Sequence, residues 1–207
     1  MKILLHICCS NCSLYPVSIL RQEGHSLTGH WYNPNIHPFK EYSSRLASVR
    51  NLSEEWNIDM LYEEEYTPSD YFRMFNISDA ALINDISSDS PNSLSSVNAP
   101  LFRERCRSCY MLRLEKTAEA AKGRGFDAFS TTLLISPYQD FEQIAETGRA
   151  LAAKYGVPFH LRDYRPYFRD SAALSKELGL YRQKYCGCIF SREERKNART
   201  AAVSGKA

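Results

Sequence analysis

The residues best suited to chemistry are the seven cysteines, which form three tight groups far apart along the chain. The groups are Cys8, Cys9 and Cys12; Cys106 and Cys109; and Cys186 and Cys188. Folding can bring separate cysteine groups together to bind a metal, and an all-thiolate set suits zinc or an iron–sulfur cluster. The cysteines therefore predict a thiolate metal site or a redox centre, with thiols left over for a second task.

Length and composition exclude a small fold that depends on disulfides. The chain has 207 residues, of which 43% are hydrophobic, so it can bury a core without cross-links. It has no apolar run of membrane-spanning length, and the stretch from Met1 to His6 is too short for a secretory signal. We therefore expect a cytoplasmic protein without membrane association. In that compartment, clustered cysteines are more often metal ligands or redox-active thiols than disulfides.

The mid-chain pair has the spacing of metal ligands. Two residues separate Cys106 from Cys109, which lets both sulfurs reach one metal centre. We place this pair at the start of a predicted helix, whose N-terminus would favour thiolate over thiol. Near the N-terminus, the adjacent Cys8 and Cys9 are better suited to different irons of one cluster than to a single ion. The spacing leaves a structural zinc site, an iron–sulfur cluster and a redox role open.

The C-terminal pair flanks a single glycine. Cys186 and Cys188 can close a small strained disulfide because Gly187 gives the backbone freedom to do so. Strained disulfides are readily reduced and are typically catalytic or regulatory. The alternatives are that the pair supplies further metal ligands or that its thiols have no chemical role.

Strand and helix patterns alternate along the chain. The predicted strands are Lys2–Ile7, Leu27–Tyr32, Asp59–Tyr62, Asp127–Leu134 and Pro158–Leu161. The predicted helices are Ser13–Glu23, Phe39–Trp56, Cys109–Arg124, Phe141–Tyr155 and a stretch from about Ser171 to Leu178. This alternation predicts an α/β fold with a parallel sheet and helices on its faces.

The pattern also predicts one domain, residues 1–207, with two special segments. Residues 77–100 are rich in Ser, Asn and Asp and are expected to be a flexible insertion rather than a helix or strand. Residues 181–207 form a basic C-terminal segment that contains a cysteine pair. Ligands gather at the carboxyl ends of parallel strands. Residues 8–12, 33–35 and 136–138 all follow predicted strands, so we expect an active site there.

Charge is unevenly distributed although its net value is only +2. Residues 51–90 carry ten acidic side chains and one basic one, whereas residues 182–207 carry seven basic and two acidic ones. A further basic patch is expected around the mid-chain cysteines, formed by Arg103, Arg105, Arg107, Arg113 and Lys116. This distribution fits a polyanionic partner at the cysteine-bearing face, and it fits ordinary solvated helix surfaces equally well. Candidate substrate-binding residues near the predicted edge are Tyr32, Asn33, Tyr138 and Arg105.

Several blocks of sequence together resemble the epoxyqueuosine reductases of the QueH type. The blocks are Leu4–Cys12, Tyr32–Ile36, Arg105–Tyr110, Arg113–Leu114, Ser130–Tyr138, Leu180–Cys188 and Phe190–Ser191. They occur in order over nearly the whole chain. The resemblance implies a Rossmann-like sheet of the kind found in PP-loop proteins. It also implies reduction of epoxyqueuosine to queuosine at the wobble base of tRNAs with GUN anticodons, the last step of queuosine biosynthesis, with electrons from an external donor.

The resemblance also assigns roles to the cysteines. It implies that Cys8, Cys9, Cys106 and Cys109 bind a 4Fe-4S cluster, and that Cys186 and Cys188 form a redox-active disulfide. The family can carry an aspartate at the position of Cys12. Cys12 is therefore expected either to replace one of the four ligands or to help bind an additional mononuclear iron.

Two other functions are compatible with parts of the pattern. A PP-loop-type tRNA-thiolating enzyme would share the sheet and the cysteine pairs. It would require a Gly/Ser-rich phosphate-binding loop after the first strand, where residues 8–12 place cysteines instead. A non-catalytic, zinc-dependent nucleic-acid-binding module would explain the metal-ligand spacing and leave the pair around Gly187 without a function.

Overall fold

The protein is built on a parallel four-stranded sheet. The computed structural model describes residues 1–78, 80–88 and 102–204. The strands are β1 (Lys2–His6), β2 (Ser26–Trp31), β3 (Asp59–Tyr62) and β4 (Ala128–Thr131). They lie in the order β3-β2-β1-β4, and every neighbouring pair is parallel. Together with the flanking helices, this confirms the predicted α/β class.

Helices connect the strands and cover the sheet. They are α1 (Ser10–Gln22), α2 (Phe39–Glu55), α3 (Pro68–Arg73), α4 (Ala80–Ser87), α5 (Phe102–Gly123), α6 (Phe141–Tyr155), α7 (Phe168–Glu177) and α8 (Ile189–Ser204). The helix pairs α1–α7 and α5–α6 pack against each other, and α5 also contacts β1 and β4. Within the described residues, no helix combines the length and apolar character needed to cross a bilayer.

The core is continuous through the sheet. Ile3, Leu4 and Leu5 of β1 are all buried, as expected for a central strand that is covered on both faces. Gly29 of β2 makes room for the side chain of Met60, since a Cβ atom at position 29 would lie 2.2 Å from the Met60 Sδ. This buried sheet therefore positions the loops that leave its carboxyl edge.

Several predicted boundaries are wrong. The strand predicted at Asp127–Leu134 ends at Thr131, where the chain enters a 3-10 turn, Thr132–Ile135. The strand predicted at Pro158–Leu161 is reduced to a single bridge between Phe159 and Phe129. The helix predicted to start at Cys109 starts at Phe102 instead. Short apolar runs fit strands and buried turns equally well, which explains the first two errors.

The polar segment at residues 77–100 is not devoid of regular structure. Helix α4 lies within it, and Ile83 and Ile86 of this helix are buried. These two side chains pack in a second apolar cluster with Tyr71, Cys109 and other residues, which explains why a mostly polar segment forms a helix. Residue 79 and residues 89–101 lie outside the described part of the chain.

The C-terminal segment also contains a helix, α8, that was not predicted. Ile189 and Phe190 at its start are buried in the same second cluster. The segment therefore packs back onto the domain. It holds only one pair of cysteines, whereas the densest cysteine group is the N-terminal one.

Candidate functional site

Three thiols meet at the carboxyl end of β1. The sulfur atoms of Cys8, Cys9 and Cys12 all lie within 4.8 Å of one another, and all three residues are buried. Cys9 is the N-cap of α1, so Cys12 lies three residues further along the helix and projects from the same face. An all-sulfur donor set at this spacing fits zinc or iron within a cluster. We call this group the thiol trio.

The three thiols of the trio have different pKa values. Hydrogen bonds from the thiols of Cys12 and Cys9 hold the pKa of Cys8 well below its usual value, and Arg113 assists electrostatically. Burial raises the pKa of Cys9, and the hydrogen bond to Cys8 raises the pKa of Cys12. Cys8 is therefore the most acidic thiol of the trio. A bound cation would displace the protons that remain on these thiols.

The mid-chain pair lies in the interior of α5, near its beginning. Because α5 begins at Phe102, Cys106 and Cys109 do not occupy the helix N-terminus, and the predicted stabilisation of their thiolates by the helix dipole is wrong. Burial instead raises the pKa of Cys109, and it raises the pKa of Cys106 to about 12. Cys109 nevertheless lies close enough to Cys8 and Cys186 to interact with both electrostatically. Folding thus brings the three cysteine groups towards one centre.

Arg113 links the trio to the mid-chain pair. Its side chain is only 2% exposed, and its Nη1 donates to the Cys109 sulfur at 3.4 Å. Its Nε lies 3.5 Å from the Nε2 of His6, whose Nδ1 is 3.0 Å from the Thr131 hydroxyl. His6 is therefore a hydrogen-bonded core residue, and burial, with Arg113, lowers its pKa to about 3. Arg113 therefore supplies a fixed positive charge beside the cysteine sulfurs.

The C-terminal pair lies beside the mid-chain pair. Cys188 is buried in the second apolar cluster together with Cys109, and the Tyr71 hydroxyl is 3.0 Å from its sulfur. Both Cys186 and Cys188 are free thiols in this structure. A hydrogen bond from Cys188, aided by Ser191, lowers the pKa of Cys186 to about 5, whereas burial raises that of Cys188. The pair thus holds one thiolate and one thiol at neutral pH.

A buried arginine that sequence reasoning missed holds this pair in place. Arg45 is 1% exposed, and it donates to the carbonyl oxygens of Tyr185 at 2.8 Å and Cys186 at 3.2 Å. Its Nε donates to the Glu41 carboxylate at 2.7 Å, which balances its charge. A sequence signal existed. Arg45 continues the apolar stripe of α2, three residues after Tyr42, where a solvated arginine is not expected.

Gln183 joins the C-terminal segment to the thiol trio. Its Nε2 donates to the sulfur of Cys9 at 3.0 Å and lies 3.4 Å from that of Cys12. Hydrogen bonds from an amide to thiolate sulfurs favour the charged form and tune metal centres. Sequence reasoning gave this residue no role, because nothing in its local pattern indicates a partner near residue 9.

The four predicted substrate-binding residues lie in different environments. Tyr138 is 76% exposed, and Tyr32 is half-buried beside Asp70. Asn33 is buried, and its amide donates to the Ile7 carbonyl at 2.9 Å. Arg105 is 2% exposed and makes a two-point ion pair with Glu194 at 2.8 and 3.0 Å. Asn33 and Arg105 thus make internal contacts, while Tyr138 is accessible.

The predicted basic patch around the mid-chain cysteines is not one surface. Arg105 and Arg113 are buried, while Arg103 and Arg107 are exposed. Lys116 lies 3.7 Å from the Glu63 carboxylate. The prediction failed because successive residues of a helix point in different directions.

The sequence matches one protein family over most of its length. The model of the family described as "Epoxyqueuosine reductase QueH" matches residues 3–84 and 91–194. A protein of that name from Dehalococcoides mccartyi is 38% identical over 194 residues, which is 94% of each chain. One from Thermotoga maritima is 32% identical over 206 residues, covering 99% of this chain and 96% of the other. One from Streptococcus pyogenes is 30% identical over 197 residues, covering 92% and 70%. The chain therefore belongs to the epoxyqueuosine reductase QueH family.

Proposed function

We propose that this protein is an oxidoreductase that converts epoxyqueuosine to queuosine at the wobble position of tRNAs with GUN anticodons. The family supports the reductase activity. The observation that supports the proposal is the proximity of the three cysteine groups. Gln183 contacts the trio, and Cys109 interacts with both Cys8 and Cys186. A site built only to bind zinc would not need the third group.

The thiols have the chemistry to hold an iron–sulfur cluster. The proposed ligands are Cys8, Cys9, Cys106 and Cys109, with Cys12 as an alternative ligand or as a ligand of an additional mononuclear iron. The position of Cys12 within the compact trio supports a role for it at the metal. When bound, a 4Fe-4S cluster supplies single electrons at low potential. Arg113 would offset the negative charge of the thiolates, since its guanidinium is buried against Cys109.

The C-terminal pair can supply both electrons of the reaction and one of its two protons. Removing the epoxide oxygen breaks two C–O bonds, forms the alkene and releases water, which consumes two electrons and two protons. Oxidation of the Cys186 thiolate and the Cys188 thiol to a disulfide releases two electrons and one proton, and solvent supplies the second proton. An external electron donor would then reduce the disulfide. The low pKa of Cys186 keeps one sulfur ready to exchange, and Arg45 fixes the carbonyl of the same residue.

Substrate binding would use the accessible side chains around this centre. The wobble base belongs to a single-stranded anticodon loop, so it can be presented without opening a duplex. The exposed ring of Tyr138 and the half-buried ring of Tyr32 can stack on bases. Arg103 and Arg107 lie on α5 beside the mid-chain pair and are exposed, so they can contact phosphates.

The test is an anaerobic reductase assay on tRNA that carries epoxyqueuosine, after reconstitution with iron and sulfide and with a strong one-electron donor. The wild-type protein should bind about four irons per chain, as a 4Fe-4S cluster requires, and produce queuosine. Cys9→Ser should lose iron and activity together. Cys186→Ser and Cys188→Ser should keep their iron and lose turnover.

One control variant and two contradicting results complete this test. Arg149→Ala, at an exposed position on α6, should keep both iron and activity. A colourless protein that binds only zinc and produces no queuosine would contradict the proposal. Loss of iron from Cys186→Ser would instead make that residue a metal ligand and overturn the redox role of the pair.

A further inference from the structure

A second group of metal-ligand side chains lies away from the cysteines. It consists of Glu23, His25 and His160, whose ligand atoms all lie within 4.8 Å of one another. The first two belong to the turn between α1 and β2, and the third follows the bridge to β4. We propose that these three residues bind a divalent transition-metal ion of the zinc class, at a site separate from the thiol centre.

The backbone holds two of the ligands in position. The His25 amide donates to the Leu20 carbonyl at 3.0 Å, and the turn passes through Gly24, whose φ of +78° favours glycine. His160 is fixed to β4 on both sides, because its amide donates to Phe129 at 2.8 Å and its carbonyl accepts from the Ser130 hydroxyl at 2.8 Å. Preorganised ligands lose little conformational entropy when they bind a metal.

One ring nitrogen of this group has no hydrogen-bond partner within the described residues. The Nε2 of His160 is buried and makes no hydrogen bond there. A buried nitrogen without a partner is costly, and a metal ion would satisfy it. The ring of His25 meets that of His160 edge-on, with centroids 5.5 Å apart. Two imidazoles that approach in this way can direct one nitrogen each towards a common ion.

The carboxylate of Glu23 completes the donor set. Its Oε2 lies 3.9 Å from the Nε2 of His25, which is beyond hydrogen-bond range but close to the separation of two ligands on one ion. Zinc bond lengths of about 2.0–2.2 Å in a tetrahedron place neighbouring ligand atoms about 3.3 Å apart. Arg162 pairs with the other oxygen, Oε1. Such outer contacts orient metal-bound carboxylates, although here the positive charge also weakens affinity.

The donor set points to zinc or a neighbouring late transition metal. Two imidazole nitrogens and one carboxylate oxygen are ligands of the kind that these ions bind. They leave a fourth coordination position for water. The ion would tie the turn after α1 to the segment beside β4, which lie far apart in sequence. Binding would therefore stabilise the folded state by an amount that grows with the logarithm of metal concentration above the Kd.

The experiment must separate this site from the thiols, which also bind zinc. The full-length protein is first reconstituted with iron and sulfide, then titrated anaerobically with zinc chloride. Imidazole ¹⁵N resonances and zinc per chain, by equilibrium dialysis, are both measured. We expect His25 and His160 to shift on zinc addition. His30 is the internal control, because both of its ring nitrogens already have protein partners, Thr117 and Glu63.

Replacing the proposed ligands one at a time tests which side chains bind the ion. His25→Gln and Glu23→Gln each remove a ligand and should weaken zinc binding at this site by more than about 100-fold, beyond the effect typical of outer contacts. Glu177→Gln, at an exposed position on α7, should bind as the wild type does. If His160→Gln does not fold, His25→Gln and Glu23→Gln decide the question, because these two side chains are partly exposed. Equal zinc binding by wild type and His25→Gln, with unshifted His25 and His160 resonances, would overturn the proposal.

Discussion

Gly187 lies between the two C-terminal cysteines, and replacing it with alanine tests whether their geometry matters. Its φ is +112°, a conformation that residues with a Cβ atom rarely adopt. A Cβ atom there would lie 2.9 Å from Cγ1 of Ile36 and 3.3 Å from Nη1 of Arg45. The Gly187 carbonyl also accepts from the His37 amide at 2.9 Å. The substitution therefore strains the backbone and pushes the loop away from its anchors.

The magnitude follows from these two effects. Backbone strain at such a position costs about 1–3 kcal/mol. Overpacking against a buried side chain costs about another 1–3 kcal/mol, because Ile36 is fully buried and Arg45 is held by three hydrogen bonds. We therefore expect Gly187→Ala to lower the free energy of unfolding by about 2–6 kcal/mol.

Gly179 provides the matched control. Its φ is +63°, but no atom lies within 4 Å of the position that a Cβ would take. Gly179→Ala should therefore cost only about 1–2 kcal/mol of backbone strain. Urea unfolding gives both values. Mass spectrometry after controlled oxidation gives the fraction of chains with a Cys186–Cys188 disulfide. This fraction and turnover should fall in Gly187→Ala and not in Gly179→Ala, and equal behaviour of the two variants would refute the reasoning.

Three further predictions address the thiols and the substrate surface. Gln183→Leu removes the amide donor to the trio, which should lower the reduction potential of the reconstituted cluster by about 40 mV for a bond worth about 1 kcal/mol. A redox titration monitored by electron paramagnetic resonance measures this, and an unchanged potential would contradict it. Because the folded-state pKa of Cys186 is about 5, against an ordinary 9.0, alkylation should be half-maximal near pH 5. Its contribution to stability is then complete above pH 9 and lost as pH falls through about 5. Half-maximal alkylation near pH 9, read by mass spectrometry, would refute this. Tyr138→Ala should raise the KM for tRNA without loss of stability, since the ring is 76% exposed. Asn33→Ala should instead lower stability by about 1–3 kcal/mol in urea unfolding, because its buried amide holds the Ile7 carbonyl. If Asn33→Ala instead raised the KM for tRNA and Tyr138→Ala lowered stability, Asn33 and not Tyr138 would contact the substrate.

The fold was largely predictable because its signals are local. β1, β2 and β3 are short apolar stretches flanked by helical patterns, and their predicted and observed bounds agree to within one or two residues. Helix α6 has an Asp140 N-cap and ends at Gly156, which are strong sequence signals. Helices α4 and α8 were missed because their stability comes from packing. Their buried apolar residues, Ile83 and Ile86 in α4 and Ile189 and Phe190 in α8, lie in the second apolar cluster, which forms only when distant segments pack together.

The residues of the site were predictable by type but not by arrangement. The spacing of cysteines indicated three groups that could meet, and in the structure Cys109 and Cys188 lie in one apolar cluster while Cys8, Cys9 and Cys12 form a compact group. The spacing does not indicate that Cys8, Cys9 and Cys12 form a compact set, nor that burial raises the pKa values of Cys106 and Cys109. The same holds for Arg105, which the sequence offers to a nucleic acid and the structure pairs with Glu194.

The sequence by itself determined the α/β class, the family and the identity of the thiols, because each depends on residue types at short spacing. Only the tertiary structure decided which side chains carry charge in the site. Arg45, Arg113 and Gln183 reach the cysteines across long stretches of chain. The pKa values of the thiols follow from these contacts and from burial, and both exist only once the distant segments are packed together.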